Sequence, residues 1–68
     1  MIISIPAEIN GNYKVELFSL LGKIMITEKF NENIHSLPLN NISQGVYICR
    51  ITDENGAVLF NNKLIIIK

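Results

Sequence analysis

The chain has 68 residues, 49% of them apolar, with six basic and six acidic side chains and a formal net charge of zero. A domain of this size buries only about 60% of the surface its unfolded chain exposes, which allows one thin core and excludes a deep cleft with a scaffold around it. The apolar content argues against disorder, the evenly spread charge offers no basic patch to displace counterions from a nucleic acid, and the most apolar run, Leu64 to Ile67, is too short to cross a bilayer.

The apolar residues are mostly Ile, Leu and Val, a bias that favours strands because branched side chains lose little rotamer freedom on a pleated surface. Ile2 to Ile5 reads as a first short strand stopped by Pro6. After the loop Glu8 to Asn12 comes Tyr13 to Ser19, where Tyr13, Val15 and Leu17 alternate with Lys14 and Glu16 as a half-buried strand does. Leu20-Leu21-Gly22-Lys23 is a tight connection, with Gly22 suited to a positive φ, into a strand from Ile24 to Glu28. Phe30 to Asn33 reads as a polar loop around one aromatic. Ile34 to Leu39 is extended but contains Pro38, which marks an edge strand or a bend.

Asn40 to Gly45 is a turn, and Val46 to Thr52 is the clearest strand, with Tyr47, Cys49 and Ile51 on one face and Val46, Ile48 and Arg50 on the other. Asp53-Glu54-Asn55-Gly56 follows, and Asn-Gly between two strand patterns is a strong hairpin signal. Ala57 to Phe60 returns antiparallel, Asn61-Asn62 interrupts the alternation as a bulge would, and Lys63 to Lys68 is a last strand. Gly45 and Gly56 are expected to be structural, at turns needing positive φ. No helical period, internal repeat or heptad is visible, so the fold class is all-β and, from its short connections, antiparallel.

Composition removes most site chemistry. A metal centre needs three or four converging ligands, and the chain has one His and one Cys. Asp53, Glu54 and Asn55 lack calcium-loop spacing and read as a solvated hairpin tip. His35 shares strand parity with Leu37 and Leu39, so it reads as a half-buried structural residue rather than a general base. Cys49 reads as a buried small hydrophobe. The glycines are spread one per turn rather than clustered around a phosphate, and the aromatics Tyr13, Phe18, Phe30, Tyr47 and Phe60 read as core. No catalytic, metal-binding or cofactor-binding residue is assigned, and no cofactor is expected. Met1-Ile2-Ile3 lacks the basic segment and cleavage site of a signal peptide. Such a start fits a cytosolic protein, or a segment from the far end of a longer precursor whose signal lies upstream.

Three fragments occur together in a known order. They are Val15 to Lys23, where an apolar strand runs through an aromatic into a Leu-Gly-basic turn; Leu39 to Ile48, with its Gly45-Val46-Tyr47; and the ending, Asp53 to Gly56, a short strand, then Lys63-Leu64-Ile65-Ile66-Ile67-Lys68. In order, spacing and terminal placement they resemble the type A C-terminal sorting domains of the type IX (Por) secretion system of Bacteroidetes, over roughly Ile2 to Lys68. The resemblance implies a small antiparallel immunoglobulin-like β-sandwich. It further implies a single domain over residues 1–68, excised from a secreted precursor and trimmed of the Tyr-Pro-Asn-Pro-like opening that family members carry. It also implies a non-enzymatic address label, recognised by outer-membrane export and sortase machinery, with the cargo delivered through the periplasm to the cell surface or medium.

Within such a label, Lys63, Leu64, Ile65, Ile66, Ile67 and Lys68 are the candidates for partner recognition, and Gly22, Gly45, Asn55 and Gly56 for the turns. The run Leu64 to Ile67 reads either as an accessible strand for β-augmentation or as an internal strand packed on both faces. The uncharged edges at Ile2 to Ile5 and Leu64 to Ile67 lead to the expectation that the isolated chain self-associates as a homodimer. Another class of function, a fibronectin- or immunoglobulin-like binding or spacer module of a surface protein, would call for an aromatic ledge or a polar cleft.

Overall fold

In a computed structural model, which describes residues 1–6 and 11–68, the chain is all-β. Six strands are described: β1 (Ile2–Ser4), β2 (Tyr13–Ser19), β3 (Ile24–Phe30), β4 (Ile34–Ser36), β5 (Gly45–Asp53) and β6 (Val58–Ile66). They form two antiparallel sheets, a small one of β1 and β4 and a larger one in the order β3-β2-β5-β6. The core lies between them. Tyr13, Val15 and Leu17 from β2 and Tyr47, Cys49 and Ile51 from β5 meet Ile3, Ile5 and Leu37 from the small sheet and its flanks. The alternation in β2 and β5 is thus the inward face of a two-layer sandwich.

Three local readings are corrected. Phe30 is not in a loop: it ends β3, pairs with Tyr13 and is buried. The fourth strand stops at Ser36, two residues before Pro38, and the amide of Leu37 donates to the carbonyl of Met1 at 2.7 Å. Asn61 and Asn62 do not form a bulge. They pair in register with Arg50 and Cys49, and the irregularity falls instead at Leu59, between the pairs Ile51–Phe60 and Thr52–Val58. Of the five aromatics, Tyr13, Phe30 and Tyr47 are core, whereas Phe60 is exposed and Phe18 half-buried. The loop Glu8 to Asn12 lies largely outside the described residues.

The two hairpins of the large sheet are the same structure written twice. In the first, the Gly22 amide bonds the Ser19 carbonyl and the Ser19 amide bonds the Lys23 carbonyl; in the second, Gly56 bonds Asp53 and Asp53 bonds Ala57 in the same pattern. Each is a three-residue loop closed by a glycine at positive φ, 91° at Gly22 and 84° at Gly56. Each returning strand then skips one residue at the same place, Met25 in the first and Leu59 in the second. The equivalent residues are 34 positions apart, the separation of Glu16 and Arg50. The same offset superposes Gly11-x-Tyr13 on Gly45-x-Tyr47 and Phe30 on Leu64. The chain therefore contains a structural repeat that its sequence, reduced to four identities at that offset (Gly11/Gly45, Tyr13/Tyr47, Gly22/Gly56 and Lys29/Lys63), conceals.

Candidate functional site: the C-terminal edge strand

The last strand is an edge. β6 pairs with β5 on one side, from Val58–Thr52 to Ile66–Gly45, and among the described residues has no strand on the other. Its side chains divide by parity. Leu64 packs against the core and Ile66 is buried, while Ile65 is 63% and the following Ile67 85% exposed. The reading of this run as an internal strand packed on both faces is therefore corrected: among the described strands β6 lies at the edge, with one face packed and the other open.

The main chain has an open side as well. The Lys63 amide bonds the Asn62 Oδ1 at 2.8 Å rather than β5. Antiparallel ladders alternate between pairs that exchange hydrogen bonds and pairs that do not. The amides and carbonyls of Asn61, Lys63 and Ile65 therefore point away from β5, toward the open edge. The chain end is anchored past the strand: Lys68 Nζ donates to the carbonyls of Leu39 and Asn40 at 3.0 and 3.3 Å. The edge is thus held straight at one end by this clasp and at the other by the Asp53–Gly56 hairpin, whose Asp53 Oδ1 accepts from the amides of Asn55 and Ala57 at 2.9 Å.

The remaining sequence candidates lie elsewhere. Asn55 sits at the tip of that hairpin with negative φ, so only Gly56 supplies the left-handed conformation. Gly45 opens β5 opposite Ile66 and lies against the Tyr47 ring. Tyr47 in turn donates its hydroxyl to the Ser43 carbonyl at 2.7 Å, a tyrosine-corner arrangement known from β-sandwiches. Cys49 is buried, which pushes its thiol pKa up.

His35 has a setting that no spacing announced. Its Nδ1 lies 2.6 Å from Glu32 Oε1, its Nε2 2.9 Å from Glu28 Oε1, and its ring stacks on Phe30 at 4.5 Å. Burial lowers the imidazole pKa, but the hydrogen bonds and charges of the two carboxylates outweigh it, and the net shift is upward from 6.5. The arrangement is a clasp between the small sheet and β3. Among the described residues no group of His, Cys, Asp and Glu is placed to hold a metal ion, and no helix is long and apolar enough to cross a membrane.

Comparison with curated proteins and with solved structures found no match. Comparison with protein families found one, the secretion system C-terminal sorting domain, over residues 1–68. The match agrees with the three fragments that carry the resemblance and with the all-β, two-sheet architecture. The chain belongs to the family of secretion system C-terminal sorting domains, the signals that direct a cargo protein through type IX secretion to the cell surface or medium.

Proposed function

We propose that the export and sortase machinery of the outer membrane reads this label through β6, by adding a strand to its open edge, with Lys63, Leu64, Ile65, Ile66, Ile67 and Lys68 as the recognised run. The observation that carries this reading is the edge itself: one side of β6 is paired, the other presents outward-facing backbone, and Ile65 and Ile67 stand exposed beside it. Strand addition draws affinity from main-chain hydrogen bonds and specificity from alternate side chains, and β6 supplies both. On this reading the label performs no chemistry. It is bound, in the periplasm and then at the outer membrane, and any catalysis belongs to the cargo.

The test is a reporter fused ahead of the label in a cell with a working type IX translocon. Deleting Lys63 to Lys68 is expected to stop export, but Ile66 is core and the deletion also threatens the fold. Ile65→Pro is the cleaner variant. The Ile65 amide faces the open edge, so proline removes a donor from the incoming strand while sparing the β5 ladder. Loss of export by a folded Ile65→Pro fusion supports the reading; normal export places recognition elsewhere.

The same open edge is the basis for proposing that the isolated chain self-associates, β6 against β6 in a second copy. Sedimentation over a range of concentrations checks it, and a monomer throughout removes it.

A further inference from the structure

The zero net charge conceals a segregation that only the fold brings out. Residues paired across strands share a face, so the register divides the large sheet unambiguously. The outward face carries Lys14 from β2, Lys29 from β3, Arg50 from β5 and Lys63 from β6. Among the described residues its one carboxylate is Glu16, already held by Arg50 at 3.1 Å and Lys14 at 3.9 Å. Glu28 has inward parity, Glu32 sits in the β3–β4 connection, and Asp53 and Glu54 are at a hairpin.

Apolar side chains occupy the same face. Ile24, Phe18 and Ile48 lie in one row across β3, β2 and β5, and Val46 and Ile65 pair in the next. Phe18, Ile48, Arg50 and Asn61 line a shallow depression there. A further feature concerns Lys14 and Lys29, which are direct cross-strand partners. Like charges opposite one another destabilise a sheet, and among the described residues Lys29 has no ion pair to offset this.

We infer that the outward face of the large sheet is a second docking surface, for an acidic protein segment with apolar anchors. Its cations would meet carboxylates around the rim, and the Phe18–Ile48 depression would take an apolar side chain. An anionic membrane surface fits less well. Phe18 lies beneath the Arg50 guanidinium, 4.8 Å from ring centroid to Cζ, so it does not project for insertion. The surface shares Lys63 and Ile65 with the β6 run, but it is centred on β2, β3 and β5, and its existence does not depend on how the edge is read.

The test uses the 68-residue chain and three probes: a soluble peptide of Glu-Glu-Leu repeats, its Lys-Lys-Leu counterpart, and vesicles of phosphatidylcholine with phosphatidylglycerol. The expected result is binding to the acidic peptide alone, weakened about tenfold between low and physiological salt. The double variant Lys14→Gln/Lys29→Glu, which leaves β6 untouched, is expected to bind at least about tenfold more weakly. Lys29→Glu alone relieves the Lys14 repulsion, so its melting temperature is expected to hold or rise while binding falls, a combination that a merely structural lysine would not give. Equal binding by the variant, equal binding of both peptides, or binding to the vesicles without binding to the acidic peptide would overturn the inference. In the export assay, the wild-type fusion reports on the sorting function and the variants report on this face, so the two fail separately.

Discussion

Glu16 and Arg50 face each other at the middle of the two central strands, Oε1 to Nη2 3.1 Å apart, and their separation of 34 residues is the offset that relates the two hairpins. A pair separated by the repeat offset lies on the pseudo-two-fold axis between the halves. Ile2 and Ser36, paired in the small sheet, are another such pair. On an axis of true symmetry a residue faces itself, and a charged residue would face its own sign. Here the two halves carry opposite charges at that one position, and the clash becomes an ion pair.

Removing Arg50 should therefore cost more than a surface substitution. Glu16 is largely covered, so Arg50→Ala leaves its carboxylate with only the longer Lys14 contact, at 3.9 Å. The expected loss is about 1–3 kcal/mol, a fall in melting temperature of about 4–8 °C per kcal/mol in a domain of this size. The double variant Glu16→Met/Arg50→Met should recover much of it, since an apolar pair leaves nothing unpaired. Thermal unfolding of the three proteins decides the matter: an Arg50→Ala melting point equal to wild type would show the pair to be dispensable.

Much of the fold was legible because β2 and β5 are central strands with one buried face, and such strands alternate cleanly in sequence. Tyr13, Val15, Leu17, Tyr47, Cys49 and Ile51 were all readable in this way, and all are core. The edge strands were harder. In β6 the run Leu64 to Ile67 is apolar throughout, so parity could not be read until Leu64 and Ile66 were seen to pack and Ile65 to lie open. The bulge was misplaced because polar Asn61-Asn62 looked like an interruption. At an exposed edge, however, Asn is tolerated in register, and the skipped residue is the apolar Leu59. The repeat stayed hidden because backbone geometry, held by Gly22 and Gly56, outlasts side-chain identity. The His35 clasp depends on Glu28 and Glu32 arriving from two elements, and strand pairing alone decides that.

The clasp makes stability depend on pH. The imidazole of His35 donates to Glu32 through Nδ1 and to Glu28 through Nε2, which only the protonated ring can do at once. Its pKa is raised on folding, so its stabilisation is fully present below the unfolded value of about 6.5 and is lost as pH rises through the folded value. The melting temperature should be higher at pH 6 than at pH 8.5, and His35→Gln should flatten that difference. A wild-type melting point that rises over this range would contradict the assignment.

The turn glycines should be equivalent. At Gly22 and Gly56 an added Cβ meets no atom within 4 Å, so the cost of a side chain is conformational alone. With φ at 91° and 84°, Gly22→Ala and Gly56→Ala should each destabilise by about 1–2 kcal/mol, and Gly56→Val should do at least as much. Denaturant unfolding measures both; a neutral substitution at one and a costly one at the other would mean the two hairpins are not held by the same geometry.

The repeat also predicts how the domain comes apart. The halves meet through seven residue pairs between β2 and β5, three between β1 and β4, and the core between the sheets. Only the short connection Asn31 to Asn33 joins them covalently. Each half buries its apolar face only against the other, because a lone hairpin is marginal in water. Peptides spanning 1–33 and 34–68 should therefore be largely unstructured when separate and should assemble on mixing into a 1:1 complex with the β signature of the intact chain. Joining the halves mainly supplies effective concentration, so the complex should dissociate on dilution where the intact chain does not. Circular dichroism of the separate and mixed peptides, with Cys49 thiol reactivity as a measure of core burial, reads the outcome. Mixing that produces neither added β structure nor protection of Cys49 would mean that the halves are not independent units and that the repeat is one of hairpin geometry only.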